Sequence, residues 1–165
     1  MSVTVAKTAG FCFGVRRAVA LAEEQAHEHG SIYAYGEIIH NMHEIERLEK
    51  MGVHTAHTIE EIPDGERVLI RAHGVPRAVY DAFRAKNCEI FDATCPFVHK
   101  IHRIVDEESR AGRLIVILGK EGHPEVEGIR GWCGESVVID GEQAAQTFAD
   151  AFNPAGRPVS MVAQT

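Results

Sequence analysis

The sequence predicts an α/β fold, with parallel sheets layered between helices. Short apolar runs rich in β-branched residues recur along the 165 residues and alternate with stretches whose apolar positions repeat at helical spacing. The connections between them are short, so successive strands run parallel with helices on the faces, and the right-handed crossover rule leaves few topologies. The composition, 45% hydrophobic, is enough to build a core.

In chain order, residues 3–6 (VTVA) read as the first strand. Val15, Ala18, Val19, Ala22 and Ala26 then form the apolar stripe of a helix, followed by a strand at 32–35. Ile45, Leu48 and Met51 mark a second helix that Gly52 terminates. Thr58 and Glu61 have capping-box spacing, which Pro63 limits to a turn. Strands follow at 68–72, 89–92, 114–118, 137–139 and 159–162, and helices at 76–86, 96–111, 124–131 and 141–152. Three of those helices open on a proline, a favoured first-turn residue. A seam at residues 93–97 divides the chain into two similar half-sheets.

Seventeen basic against twenty-four acidic residues give a formal charge of −7, which argues against an extended nucleic-acid surface. No apolar run approaches the roughly 20 residues that span a bilayer, and the N-terminus lacks the h-region of a signal peptide, so a cytoplasmic protein is expected. In that compartment four cysteines argue for metal binding or catalysis rather than disulfides, although none forms a C-x-x-C pair. Neither a GxGxxG nor a GxxxxGK[ST] loop is present, which argues against simple nucleotide binding.

In parallel sheets the ligand site lies beyond the carboxyl ends of the strands. Cys12, His40, His73, Cys95, His123 and Gln164–Thr165 each follow a predicted strand end. The two cysteines sit where a strand pattern hands over to a helix, where the dipole and free N–H groups favour a thiolate. A shared metal-and-anion site is the reading of this pattern. Cys88 and Cys133 lie away from the predicted edge and read as buried or half-buried thiols. His27, His29, His43, His54, His57, His99 and His102 read as solvated or turn residues, Arg16 and Arg17 as helix surface, and Glu127 as a cap or solvated neighbour of Glu125.

In this order, the segments GFCFGV, HNMHEIERLEKMG, AHGVP, FDATCP and GHPEVEG resemble the N-terminal half of the 4-hydroxy-3-methylbut-2-enyl diphosphate reductase family, the LytB-type iron–sulfur reductases. The resemblance runs from Val3 to Thr165. It implies two of the three pseudo-repeated α/β units of a cloverleaf-like fold: an N-terminal strand and cluster loop at 1–13 that packs with a third unit, a first unit at 14–95 and a second at 96–165. It implies reductive dehydroxylation of an allylic diphosphate to isopentenyl and dimethylallyl diphosphates, with a 4Fe-4S cluster held by three cysteines and reduced by ferredoxin or flavodoxin. Cys12 and Cys95 would be two of the ligands. His40 and His73 would hold the diphosphate, His123 would lie near the hydroxyl end, Glu125 would supply protons, and Thr165 would position the hydroxyl and relay them. The third cysteine belongs, by the same resemblance, to a segment beyond Thr165, so that the chain is expected to be a fragment inactive by itself. The alternative is a non-catalytic domain binding zinc or iron through its cysteines and histidines.

Overall fold

A computed structural model describes residues 2–7, 9–152 and 156–165. Six helices, α1 (Phe13–His29), α2 (Met42–Lys50), α3 (Arg77–Ala85), α4 (Pro96–Arg110), α5 (Pro124–Arg130) and α6 (Glu142–Ala151), alternate with seven strands. Strands β1 (Ile32–Tyr35), β2 (Val53–Ala56), β3 (Arg67–Ile70) and β4 (Glu89–Asp92) form one parallel sheet in the order β2-β1-β3-β4. Strands β5 (Leu114–Leu118), β6 (Ser136–Ile139) and β7 (Val159–Ala163) form a second parallel sheet in the order β6-β5-β7.

Both sheets are organised by a central strand that reads as an unbroken apolar run, as strands covered on both faces do. In the first sheet, Leu69 joins Ile32, Ala34 and Val53 in packing against Ala18, Ala22 and Ala26 of α1 and Leu48 of α2. Val68 and Ile70 point to the other face and meet Val79, Tyr80 and Phe83 of α3. In the second sheet, Ile115 and Ile117 of β5 pack with Val105 of α4 and with Val126 and Ile129 of α5.

Four expectations are corrected. Residues 3–6 belong to no sheet: Val3 and Val5 are 86% and 74% exposed, because no neighbouring strand satisfies their backbone or covers their side chains. A strand absent from the sequence reading, β2, pairs with β1 at the sheet edge; its centre, His54–Thr55, carries no apolar alternation to betray it. Pro76 is the N-cap of α3 rather than its first residue, whereas Pro96 and Pro124 do occupy the first turn. His102 is 1% exposed rather than solvated, stacked on Trp132 with centroids 5.2 Å apart. The 57–62 stretch is a turn, and Glu61 reaches back to accept the His57 N–H at 2.9 Å, one residue before the Thr58 expected to cap.

Candidate functional site

Cys12 and Cys95 are the N-caps of α1 and α4, both are free thiols, and neither side chain caps its helix. Both line an open cleft of about 420 Å³ together with His73, Phe97, Glu125 and Thr165. Gly14, buried in the first turn of α1, makes room for the second thiol: a Cβ there would stand 2.9 Å from Cys95 Sγ. A second pocket, lined by Cys12, His40, Asn41 and His73, adjoins through the residues the two share.

The loop carrying Cys95 is pinned from both sides. The Asp92 carboxyl accepts the Thr94 N–H at 2.8 Å and the Tyr80 hydroxyl at 2.8 Å, and its Oδ2 lies 3.1 Å from His99 Nε2. From α1, Arg17 donates to the carbonyl oxygens of Thr94, at 3.0 Å, and Asp92, at 3.1 Å. An arginine one turn after Cys12 therefore ties the two cysteine-bearing loops together. Arg17, expected on the helix surface, is exposed yet makes this tie, and Asp92 was not singled out from the sequence; its only signal was its place in FDATCP.

Three imidazoles form a row above the strand ends. His40 and His73 have ring centroids 5.7 Å apart, and His73 and His123 5.5 Å apart. His40 is exposed, with Nδ1 3.1 Å from Glu37 Oε2. His123 is the N-cap of α5, and its Nδ1 accepts the Glu125 N–H at 3.2 Å, so a neutral ring carries its proton on Nε2. His73 is half-buried, and its Nδ1 has no partner although it is shut away from water. Burial, followed by the neighbouring charges of Arg71, His123 and His40, pushes the His73 pKa down to about 4. At neutral pH His73 is thus an uncharged hydrogen-bonding ring.

Glu125 stands in the first turn of α5 and is 3% exposed. Its Oε1 accepts the Thr165 N–H at 2.7 Å and the Thr165 hydroxyl at 3.0 Å, and Oε2 lies 3.1 Å from the same hydroxyl. A buried carboxyl joined to a hydroxyl at the cleft wall is an arrangement that offers a path for a proton. Glu127, by contrast, faces Arg130 at 3.3 Å, away from this path.

Cys12, His40, His73, Cys95, His123, Glu125 and Thr165 are all at one end of the molecule. Cys88, beside Pro63 O, and Cys133, beside Arg130 O and with its thiol pKa raised by burial, line neither pocket. Among the described residues, no group of three or more His, Cys, Asp or Glu side chains is gathered closely enough to hold a metal ion. The two thiols fit an iron–sulfur cluster in kind, since thiolates are its usual ligands, and fall short in number.

The chain resembles known proteins along its whole length. Residues 3–165 match the family described as LytB protein. The 4-hydroxy-3-methylbut-2-enyl diphosphate reductase of Clostridioides difficile is 44% identical over 140 residues, which are 84% of this chain and 50% of that protein. The enzyme of the same name from Aquifex aeolicus is 41% identical over 145 residues, 85% of this chain and 50% of that protein. A solved (E)-4-hydroxy-3-methyl-but-2-enyl diphosphate reductase superposes with a TM-score of 0.82 at 39% identity, covering 99% of this chain and 58% of that one. The Plasmodium falciparum enzyme superposes with a TM-score of 0.88 at 29% identity over 96% of this chain and 50% of its own. The chain spans about half the length of the curated relatives it matches. A match that runs from residue 3 to residue 165 makes this chain a member of the LytB protein family.

Proposed function

We propose that this chain carries one wall of the active site of a cytoplasmic 4-hydroxy-3-methylbut-2-enyl diphosphate reductase, and that turnover belongs to a polypeptide including the other half of the relatives' length. The supporting observation is the convergence at one edge of two uncapped thiols, three contiguous imidazoles and a buried carboxyl–hydroxyl pair. Each set answers one demand of the reaction, in which two electrons and two protons replace an allylic C–OH by C–H, release water, and give isopentenyl or dimethylallyl diphosphate.

His40 and His73 bind the diphosphate, as compact donors that meet several phosphate oxygens at short range. His123, whose Nδ1 is occupied by the Glu125 N–H, presents Nε2–H toward the hydroxyl end. Glu125 delivers a proton to the departing oxygen through the Thr165 hydroxyl, which it holds at 3.0 Å. Phe13 and Phe97, 59% and 65% exposed in this chain, flank the thiols as an apolar rim. Cys12 and Cys95 would hold a 4Fe-4S cluster, with a third thiolate from outside these residues. When bound, that cluster supplies electrons one at a time from a carrier such as ferredoxin or flavodoxin.

The test is anaerobic iron and sulfide analysis with turnover assays on the longer polypeptide. Cys12→Ser and Cys95→Ser are expected to lose the cluster. Glu125→Gln is expected to keep full iron and sulfide content while turnover drops by roughly a hundredfold, the scale of general acid catalysis. Normal turnover in Glu125→Gln would move the proton donor elsewhere, and an intact cluster in either serine variant would remove that cysteine from the ligand set. The alternative, a zinc-binding domain without catalysis, has no gathered set of protein ligands in its favour among the described residues.

A further inference from the structure

Arg71 immediately follows β3, two residues before His73, and is half-buried. Most arginines of this chain are ion-paired: Arg47, Arg67, Arg77, Arg84, Arg103, Arg110, Arg113, Arg130 and Arg157 each face a carboxylate. The remaining ones among the described residues are Arg16, Arg17 and Arg71, all at the end of the molecule that bears the cleft. Arg16 is exposed, and Arg17 is committed to two carbonyls. Arg71 alone is withdrawn from water with no carboxylate in salt-bridge contact, Glu37 acting on it only at longer range, and its Nε has no hydrogen-bond partner.

The fold keeps that guanidinium in place deliberately close to backbone. Gly36 ends the β1 edge with φ +76, and a Cβ there would fall 2.3 Å from Arg71 Nη1 and 2.9 Å from Cζ. The glycine of the GEIIH segment is thus required twice, by its left-handed backbone and by the cation that fills the space of its missing side chain. Around Arg71 stand the Tyr35 phenol, whose pKa burial raises so that it stays neutral, Glu37, whose Oε2 is turned to His40 at 3.1 Å, and His73. The charge of Arg71 is felt at His73, where it adds to burial in disfavouring a second cation. Although burial lowers its own proton affinity, a guanidinium remains charged at neutral pH.

An uncharged imidazole can donate a hydrogen bond to phosphate but cannot neutralise it. A half-buried cation with no carboxylate in direct contact, in turn, gains from an anion that arrives. We propose that Arg71 is a positioning residue that supplies the fixed positive charge of the anion subsite formed by His40 and His73, acting on a bound diphosphate through space from behind the His73 ring. The subsite is thereby selective for a polyanion over an uncharged alcohol of similar shape. This inference rests on the diphosphate reading of the site given above.

Calorimetric titration, with inorganic pyrophosphate, of the longer polypeptide that contains these residues tests it, with circular dichroism to verify folding. That polypeptide without substitution, the unaltered chain, is expected to bind, and His73→Ala to lose binding. Arg71→Met, of similar length without the charge, is expected to weaken affinity by about tenfold, and Arg71→Lys to stay within about threefold of the unaltered chain, as a through-space charge requires. Arg71→Gln provides a second neutral variant should Arg71→Met not fold. If the unaltered chain binds and His73→Ala does not, but the neutral Arg71 variants bind as tightly as the unaltered chain, the role of Arg71 is overturned while the diphosphate reading stands. Equal losses in the lysine and neutral variants would likewise reduce Arg71 to a packing residue. If the unaltered chain takes up no pyrophosphate, or His73→Ala binds it equally, the diphosphate reading falls and this inference with it.

Discussion

Single side chains at the cleft show how burial sets their chemistry. His73 and His102 both have pKa values pushed down to about 4, first by desolvation and then by neighbouring cations or rings. Their unfolded values lie near the ordinary ~6.5. Above that pH neither state binds a proton at these rings. As pH falls from about 6.5 toward 4, the unfolded chain takes up protons that the folded chain refuses, so stability declines through that window and these rings cause no further loss below it. Urea midpoints are therefore expected to drop between pH 7 and pH 4.5. His102→Phe, which keeps an aromatic ring against Trp132, is expected to flatten part of that slope, and an unchanged slope would exclude His102 as its source. Arg17 supports a prediction of a different kind. Removing its two bonds to the Thr94 and Asp92 carbonyls in Arg17→Ala frees one side of the Cys95 loop. Cys95 should then react with iodoacetamide several-fold faster at constant global stability, read by mass spectrometry, and an unaltered rate would mean that Asp92 holds the loop unaided.

At the scale of elements, the site depends on how α5 of the second sheet meets the β3–α3 connection of the first. The contact is made by two glycines. A Cβ on Gly128 would stand 3.3 Å from His73 O, and one on Gly131 would stand 2.3 Å from Pro76 Cβ and 2.5 Å from Pro76 Cα. Trp132 completes the junction, donating its indole N–H to Val75 O at 2.9 Å while Arg77 lies over its ring at 4.8 Å. This close approach is what brings His123, at the start of α5, beside His73. Gly131 has an ordinary helical φ of −70, so Gly131→Ala costs nothing in backbone conformation, and its effect is purely steric. Forcing a methyl group into this contact should destabilise the chain by about 1–3 kcal/mol, measurable by thermal or urea unfolding. A neutral result would show that α5 can slide without cost, and with it the His73–His123 pair.

The molecule as a whole has two well-packed sheets and a first segment that joins neither. No described helix is long and apolar enough to cross a membrane. Residues 2–7 are exposed and outside any strand, whereas Val68, Leu69 and Ile70 of β3 are fully buried between β1 and β4. Hydrogen exchange in this 165-residue chain should reflect that division, with amides of 2–7 exchanged at the first time point and those of β3 among the slowest. Slow exchange at 3–6 would reveal a pairing partner for that segment in solution. The exposed Phe13 and Phe97 line the cleft, so the face that bears the thiols also carries uncovered apolar side chains.

Local pattern sufficed for the parallel α/β architecture and for the set of residues at the strand ends. Buried parallel strands must read as apolar runs, helices must repeat near 3.6, and loops beyond strand ends are where unusual residues such as Cys95 and His73 stand out. Strand β2 escaped because an edge strand with a polar centre needs its neighbour to exist, and residues 3–6, strand-like in pattern, form no strand here because a strand pattern states only a capacity for pairing. Which side chains touch was decided by tertiary structure alone: the His102–Trp132 stack, the Arg17 clamp, the glycine contacts of α5 and the unpaired Arg71 beneath Gly36. These join residues up to 77 positions apart, and packing at that separation depends on the shape of the whole chain, which no local periodicity encodes.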